Sequence, residues 1–208
     1  MNLRMLLCAV GCTLLILAGC DSKIAGKSAD TDSAATSQEA TSQDAGDEAA
    51  ASDEAAVELT LADWPAIEKE IAAAGKPVVV DIWSTACAPC MQEFHGLVEL
   101  HDAHGEKIRC ISVCIDYIGI KSKPPETYSD AVTAFLKSQK ATTANYLSTT
   151  ADSDIYETLE LDSIPAVFIY AADGKLTKRF VDAGDDAGFT YAKDVRPFVE
   201  EMLASESL

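Results

Sequence analysis

Between residues 64 and 204 the apolar positions fall into helical and extended rhythms that take turns along the chain. In 64–74, Trp64, Ile67 and Ile71 recur at intervals of three and four, which predicts an amphipathic helix. Gly75 and Pro77 end it. Residues 78–83, Val-Val-Val-Asp-Ile-Trp, are apolar except for Asp81, and predict a strand buried on both faces. Residues 90–104 read as one helix, and 108–115 alternate as a strand. The stretch 117–127, with Pro124-Pro125, predicts a loop. Residues 129–138 predict a helix with Val132, Phe135 and Leu136 as its apolar stripe. Tyr146-Leu147 starts a short strand or an extended connection, and 152–161 reads as a short helix. Residues 166–170, a turn at 172–175 and 176–181 predict a β-hairpin. A final helix spans 191–204 with Val195, Phe198 and Met202 inward. The order predicts an α/β domain: a central mixed β-sheet flanked by helices on both faces.

The N-terminal part does not follow these rhythms. Residues 1–19 carry Arg4 and then an apolar stretch, too short for a comfortable membrane span, and read as a secretory signal. The stretch ends Leu17-Ala18-Gly19-Cys20, which resembles a bacterial lipobox. That resemblance implies cleavage before Cys20 and lipidation there, with the protein held on the extracytoplasmic face of a membrane in the bacterial cell envelope, facing the periplasm. An ordinary signal peptide with a chance cysteine is the plainer reading. Residues 20–57 are rich in Ala, Ser, Thr, Asp, Glu and Gln, contain no aromatic side chain, and cannot bury enough apolar surface to fold alone. They read as an acidic tether with a root-mean-square reach of roughly 30–35 Å. Residues 58–208, about 150 in all, suit one domain with a sizeable core. The net charge of −18 argues against a nucleic-acid partner.

Candidate chemistry concentrates at Cys87-Ala88-Pro89-Cys90, directly after the 78–83 strand and opening the next helix. A thiol at a helix N-terminus sees the free N–H groups and the positive end of the helix dipole, which favour the thiolate. Pro89 suits a first turn, where no N–H is needed. Three readings of the pair stand. One is a redox dithiol/disulfide. A second is a zinc site with Cys110 and Cys114. The third is soft ligation of copper by Cys87 and Cys90, with His95 as a further ligand, in a copper-binding chaperone. Cys110 and Cys114 lie four residues apart on a predicted strand, roughly 13 Å, so they share a face without sharing an ion or a disulfide. They read as small buried residues.

Asp81 is the polar exception of its strand. It is either an acid paired with a lysine or a proton acceptor whose pKa burial has raised, placed to take the proton of Cys90. Pro165 is a turn proline or part of the site. Trp83 lines the site or anchors the core. Glu93 is a solvated helix residue or a group that tunes the cysteines.

The Cys87–Cys90 centre, the strand before it, the Cys-Met-Gln-Glu-Phe run at 90–94 and Ser163-Ile164-Pro165-Ala166-Val167 together resemble the thioredoxin superfamily, in particular membrane-tethered TlpA/ResA-type members. Asp81, six residues before Cys87, matches that family's buried acid. The resemblance implies a thioredoxin fold over about residues 60–205, a cis peptide at Pro165 packed against the cysteines, and pairing of a substrate strand with the backbone of Ile164. It implies a thiol–disulfide oxidoreductase in which Cys87 attacks, Cys90 resolves, and Asp81 and Pro165 complete the catalytic set. Trp83, Ala88, Pro89 and Ile164 then meet the substrate. The implied partners are a disulfide-containing protein and an upstream dithiol donor, with no soluble cofactor, no metal and a monomeric chain. Reduction of substrate disulfides is favoured over oxidation. Two positions depart from the family pattern: Ala86 stands in place of the usual Trp, and His95 in place of the usual Pro.

Overall fold

The computed structural model describes residues 56–181 and 188–205, all within the unit Ala50–Leu208. The signal segment, Cys20 and nearly all of the tether lie outside the described residues, but Val57 already packs against the core.

The described elements run in this order: β1 (Thr60–Ala62), α1 (Trp64–Ala73), β2 (Val78–Trp83), α2 (Ala88–Glu93), α3 (His95–His104), β3 (Arg109–Cys114), a 3-10 turn (Pro125–Tyr128), α4 (Ser129–Ser138), β4 (Ala144–Ser148), α5 (Asp152–Thr158), β5 (Ala166–Tyr170), β6 (Leu176–Val181), a π turn (Tyr191–Val195) and α6 (Arg196–Ser205). The strands form one sheet in the order β1-β4-β3-β2-β5-β6. β1, β4, β3 and β2 are mutually parallel, β5 is antiparallel to β2, and β6 is antiparallel to β5 and so runs in the direction of the first four. This is the mixed sheet the sequence predicts, and its topology is that of a thioredoxin fold with additional strands at one edge.

Local chemistry starts and stops these elements. Asp63 caps α1 by accepting the Ala66 N–H at 3.0 Å. Gly75, at φ +65°, turns the chain out of α1 in a conformation that suits glycine. β2 is buried at every position and β3 at all but its first. β3 therefore does not alternate in burial as its sequence suggested, because helices cover both of its faces.

Two apolar clusters lie on opposite sides of the sheet. One joins Val79 and Trp83 of β2 to Phe94, Leu97 and Leu100 near α2 and α3, to Val132 and Leu136 of α4, and to Val195 and Val199 at the chain's last helical segment. The other joins Val78, Val80 and Ile82 to Trp64, Ile67 and Ile71 of α1 and to Ile155 of α5. Thus α2, α3, α4 and α6 cover one face, and α1 and α5 the other. Each fully buried large apolar side chain contributes roughly 1.5–3 kcal/mol relative to exposure.

Other elements also differ from the sequence expectations. The helix read over 90–104 is two helices meeting at Phe94, where the Leu97 N–H closes a tighter bond to the Phe94 carbonyl at 3.0 Å. Phe94 is fully buried, its ring 5.1 Å from those of Trp83 and Phe135. The C-terminal helix begins as a π turn. The short edge strand β1 was not anticipated, since three residues carry no readable alternation.

Gly96 on α3 lies directly against Tyr191 of the last helical segment. A Cβ there would lie 2.2 Å from the Tyr191 Cβ, which no side chain tolerates without backbone movement. Gly96→Ala is expected to cost about 1–3 kcal/mol, read as a lower urea midpoint at unchanged m-value. A variant as stable as the parent would show that this contact is loose.

Candidate functional site

The site forms at one end of the sheet. β2 and β3 are parallel and deliver Ser84–Cys87 and Asp116 beyond their C-terminal ends. β5 runs the other way, and the pairing of Ile82 with Ala166 places Pro165 at the same end. The Ile164–Pro165 peptide is cis.

Cys87 caps α2. The Cys90 N–H donates to its Sγ at 3.2 Å, and the Met91 N–H donates to its carbonyl at 3.1 Å. Cys87 is half-buried, whereas Cys90 in the first turn is 2% exposed. The two are joined by a disulfide, with Cα atoms 5.3 Å apart. The Sγ of Cys87 lies 3.7 Å from the Ile164 carbonyl oxygen. Of the expected substrate contacts, Ala88 and Pro89 are exposed and Ile164 half-buried beside Cys87. Trp83 requires a correction: it is 0% exposed and packs in the core against Phe94 and Phe135, so it supports the site from beneath and offers no surface to a substrate.

The loop before Cys87 is fixed by a residue that the sequence reading passed over. Asp116 accepts the Ser84 hydroxyl at 2.6 Å and the Thr85 N–H at 2.9 Å on Oδ1, and the Thr85 hydroxyl at 2.5 Å on Oδ2. Ser84 Oγ in turn accepts the Ala86 N–H at 3.1 Å. An acid just past a buried parallel strand was the available signal, because the C-terminal ends of such strands carry sites.

Asp81 sits between Val79 and Trp83 on the α2 side of β2 and is 3% exposed. Its partner is not a lysine. The Tyr191 hydroxyl donates to Oδ2 at 2.7 Å, and no described side-chain or backbone group bonds Oδ1. Burial pushes the carboxyl up to about 7, the Tyr191 hydrogen bond pulls against that, and the charge of Glu93 adds to it. Asp81 also heads a polar row across the sheet, in register with Ser112 and, beyond it, Asn145. The Ser112 hydroxyl donates to Asn145 Oδ1 at 2.8 Å.

Cys110 and Cys114 are buried free thiols on this same side of β3. Burial pushes Cys110 up to about 12, and Cys114 higher still. Both are thiols at neutral pH, without nucleophilic character. His95 is exposed and faces Glu99 at 3.5 Å. Among the described residues no three His, Cys, Asp or Glu side chains gather as a metal site.

Beside Ala86 and Ile164 a cleft of about 570 Å³ opens. Ile118, Lys123, Tyr128 and Tyr156 line it, and Ile118 is 50% exposed. Lys123 Nζ stands 4.4 Å from the Tyr128 ring centroid.

No family model matches the chain, and no curated protein is similar to it. Similar solved structures include a secreted Mycobacterium tuberculosis disulfide oxidoreductase homologous to E. coli DsbE, at 20% identity over 57% of this chain and 77% of that one, TM-score 0.43. StoA from Bacillus subtilis is similar at 20% identity over 57% and 79%, TM-score 0.42. A thioredoxin-family thiol:disulfide interchange protein from Chlorobium tepidum is similar at 16% identity over 64% and 83%, TM-score 0.46.

Between about pH 4 and pH 7 the folded chain keeps the Asp81 proton that the unfolded chain has released. Stability therefore falls as pH rises through this interval and levels off above it. Asp81→Asn removes a slope of about 1.4 kcal/mol per pH unit at its steepest. The variant is expected to gain on the parent from pH 5 to pH 8 in urea denaturation. Parallel pH dependence in the two proteins would disprove the buried, titrating carboxyl.

Proposed function

We propose that this chain is a thiol–disulfide oxidoreductase of the thioredoxin type that reduces protein disulfides. One observation carries the reading: a Cys87–Cys90 disulfide caps a helix, beside the cis Pro165 and over the sheet face that buries Asp81.

In the reduced protein the Cys90 N–H would stabilise Cys87 as thiolate, as it now donates to Cys87 Sγ. The thiolate attacks one sulfur of the substrate disulfide. That S–S bond breaks, a mixed disulfide forms, and the departing substrate sulfur takes a proton. Cys90 then gives its proton to the Asp81 carboxylate and attacks Cys87 Sγ. The substrate leaves as a dithiol, and two electrons have passed from the protein to it. A second dithiol protein restores Cys87 and Cys90 by the reverse exchange. A pKa near 7 suits Asp81 to this work, because it can both accept and return a proton at neutral pH. Neither a metal nor an organic cofactor enters these steps.

The N-terminal pattern supports placing this chemistry outside the cytoplasm. In that reading Cys20 carries a lipid, the acidic segment spans from membrane to domain, and the protein works as a monomer on the periplasmic side of the bacterial cell envelope. Exposed Ala88 and Pro89 with the Ile164 backbone flank the attacking sulfur, and the cleft beside Ala86 receives the substrate chain next to its cysteine.

Roles of the two cysteines are separable. Cys90→Ser is expected to accumulate mixed disulfides with protein partners, seen as shifted bands on non-reducing gels, and Cys87→Ser is not. Equal trapping by both variants would overturn the assignment.

The cleft makes a second prediction. Ala86→Trp fills its edge with a ring. Reduction of a folded disulfide protein is expected to slow roughly tenfold more than reduction of a small aromatic disulfide, about 1.4 kcal/mol of lost contact. Equal loss on both substrates, measured at one pH, would place the effect on the thiolate instead of on docking.

A further inference from the structure

Tyr191 stands at the first position of the π turn and touches two carboxyl groups through two different donors. Its hydroxyl donates to Asp81 Oδ2 at 2.7 Å, and its backbone N–H donates to Glu93 Oε2 at 3.0 Å. Its side chain is 3% exposed. Its place is tightly fixed. Thr190 Oγ1 accepts the Lys193 N–H at 3.2 Å, and the Thr190 N–H donates to Asp194 Oδ2 at 2.8 Å, a reciprocal cap around the residue. On the other side the ring lies against Gly96, where no larger residue fits.

We propose that Tyr191 is a positioning residue for the reaction: its hydroxyl holds Asp81 Oδ2 and leaves Oδ1 to exchange a proton with Cys90, while its backbone N–H seats Glu93 of the active-site helix near that carboxyl. The inference rests on the oxidoreductase reading for the use of the proton, and on geometry alone for the clamp.

Each contact has a definite electrostatic sense. A hydroxyl donating to a carboxylate favours the ionised form, and a neighbouring negative charge disfavours it. Both influences act on Asp81 in these senses, beneath the dominant effect of burial. The remaining groups facing Asp81 do little to alter the balance at neutral pH. On α2 these are Cys90 and Cys87, joined in the disulfide. On β3 they are Cys110, a neutral thiol, and Ser112, whose hydroxyl donates to Asn145. On β5 the register partner is the apolar Val167. Tyr191 itself stays protonated, since burial and the Asp81 charge both push its hydroxyl well above its usual range. It is a donor at every working pH, never a proton carrier.

Two conservative substitutions separate this arrangement from a packing role. Tyr191→Phe keeps the ring against Gly96 and the N–H to Glu93, and removes the bond to Asp81. Glu93→Gln keeps an acceptor for the Tyr191 N–H, and removes the charge. The titration of the Asp81 carboxyl, followed by carbon-13 NMR in the full-length protein with the Cys87–Cys90 disulfide intact, is expected to move upward by about one pH unit in Tyr191→Phe and downward in Glu93→Gln. Disulfide reduction by Tyr191→Phe is expected to fall roughly tenfold at pH 6 and to recover above pH 9, where Asp81 is ionised in both proteins. Glu93→Gln is expected to be faster than the parent at pH 6. Both differences should vanish when Asp81 is Asn.

Shifts of the same sign in the two variants, or no shift in either, overturn the clamp. A rate loss in Tyr191→Phe that is equal at pH 6 and pH 9 does the same, because it reports packing. The NMR titration does not require turnover. A parent protein that reduces no disulfide would therefore defeat the oxidoreductase reading, while opposite shifts in the titration would still uphold the placement of Asp81 by Tyr191.

Discussion

A carboxyl group buried in the middle of an apolar sheet face is the constraint around which this structure is arranged. Charge is strongly disfavoured there, and a buried polar group without a partner costs about 1–3 kcal/mol even when neutral. The fold meets this in two ways. Asp81, Ser112 and Asn145 stand in register on β2, β3 and β4, so three of the buried polar side chains share one row across the sheet. Asn145 completes the row from the far side, donating to the Ala141 and Thr143 carbonyls, both at 2.9 Å. At the Asp81 end of the row, the partner is a tyrosine hydroxyl brought by the last helical segment. The segment's docking, the glycine it packs on and the acid at the centre of the sheet therefore depend on one another.

The same helix that lies over Asp81 gives its two cysteines different surroundings. Cys87 is the cap residue: its sulfur faces a backbone N–H and is partly open to solvent. Cys90, one turn inside, is buried against the core. A negative charge is stabilised at the first position and penalised at the second. In the proposed reaction this ordering makes one sulfur the attacking group and leaves the other needing a base. The base has to be close to neutral in pKa and dry, and burial in the sheet supplies both conditions.

Much of this was legible in the sequence, for reasons that can be traced to particular residues. The 78–83 run announces a strand covered on both sides, and Asp81 is conspicuous because every neighbour in the run is apolar. Cysteines at 87 and 90 with Pro89 mark a helix start. The hairpin at 166–181 follows from its turn residues. What escaped depended on contacts between distant segments. Tyr191 reads only as the first residue of an amphipathic helix whose inward positions are Val195, Phe198 and Met202, and nothing in that spacing says that its hydroxyl meets residue 81. Asp116 follows the strand read over 108–115, and nothing in the local pattern says that it bonds Ser84 and Thr85. The break at Phe94 follows from three-dimensional crowding of Phe94, Trp83 and Phe135, which local propensity does not encode. Trp83 was ambiguous between site and core because strand alternation places it on the site's face without saying how deep it lies.

In the proposed reaction, reactivity and partner choice fall to different groups. The loop that presents Cys87 is held by Asp116 through Ser84 and Thr85, three residues that also line the cleft. Ala86 joins this network through its backbone N–H alone, and its methyl group lines the cleft with Ile118, Tyr128 and Ile164. A bulky residue at 86 would cover that cleft without being needed to fix the loop. In the proposed reaction the thiolate is set by α2, its N–H groups and the buried acid, none of which lines the cleft. A surface of this kind can change with its partners while the sulfur chemistry stays constant, because no residue of the Asp81–Tyr191–Glu93 set lines the cleft.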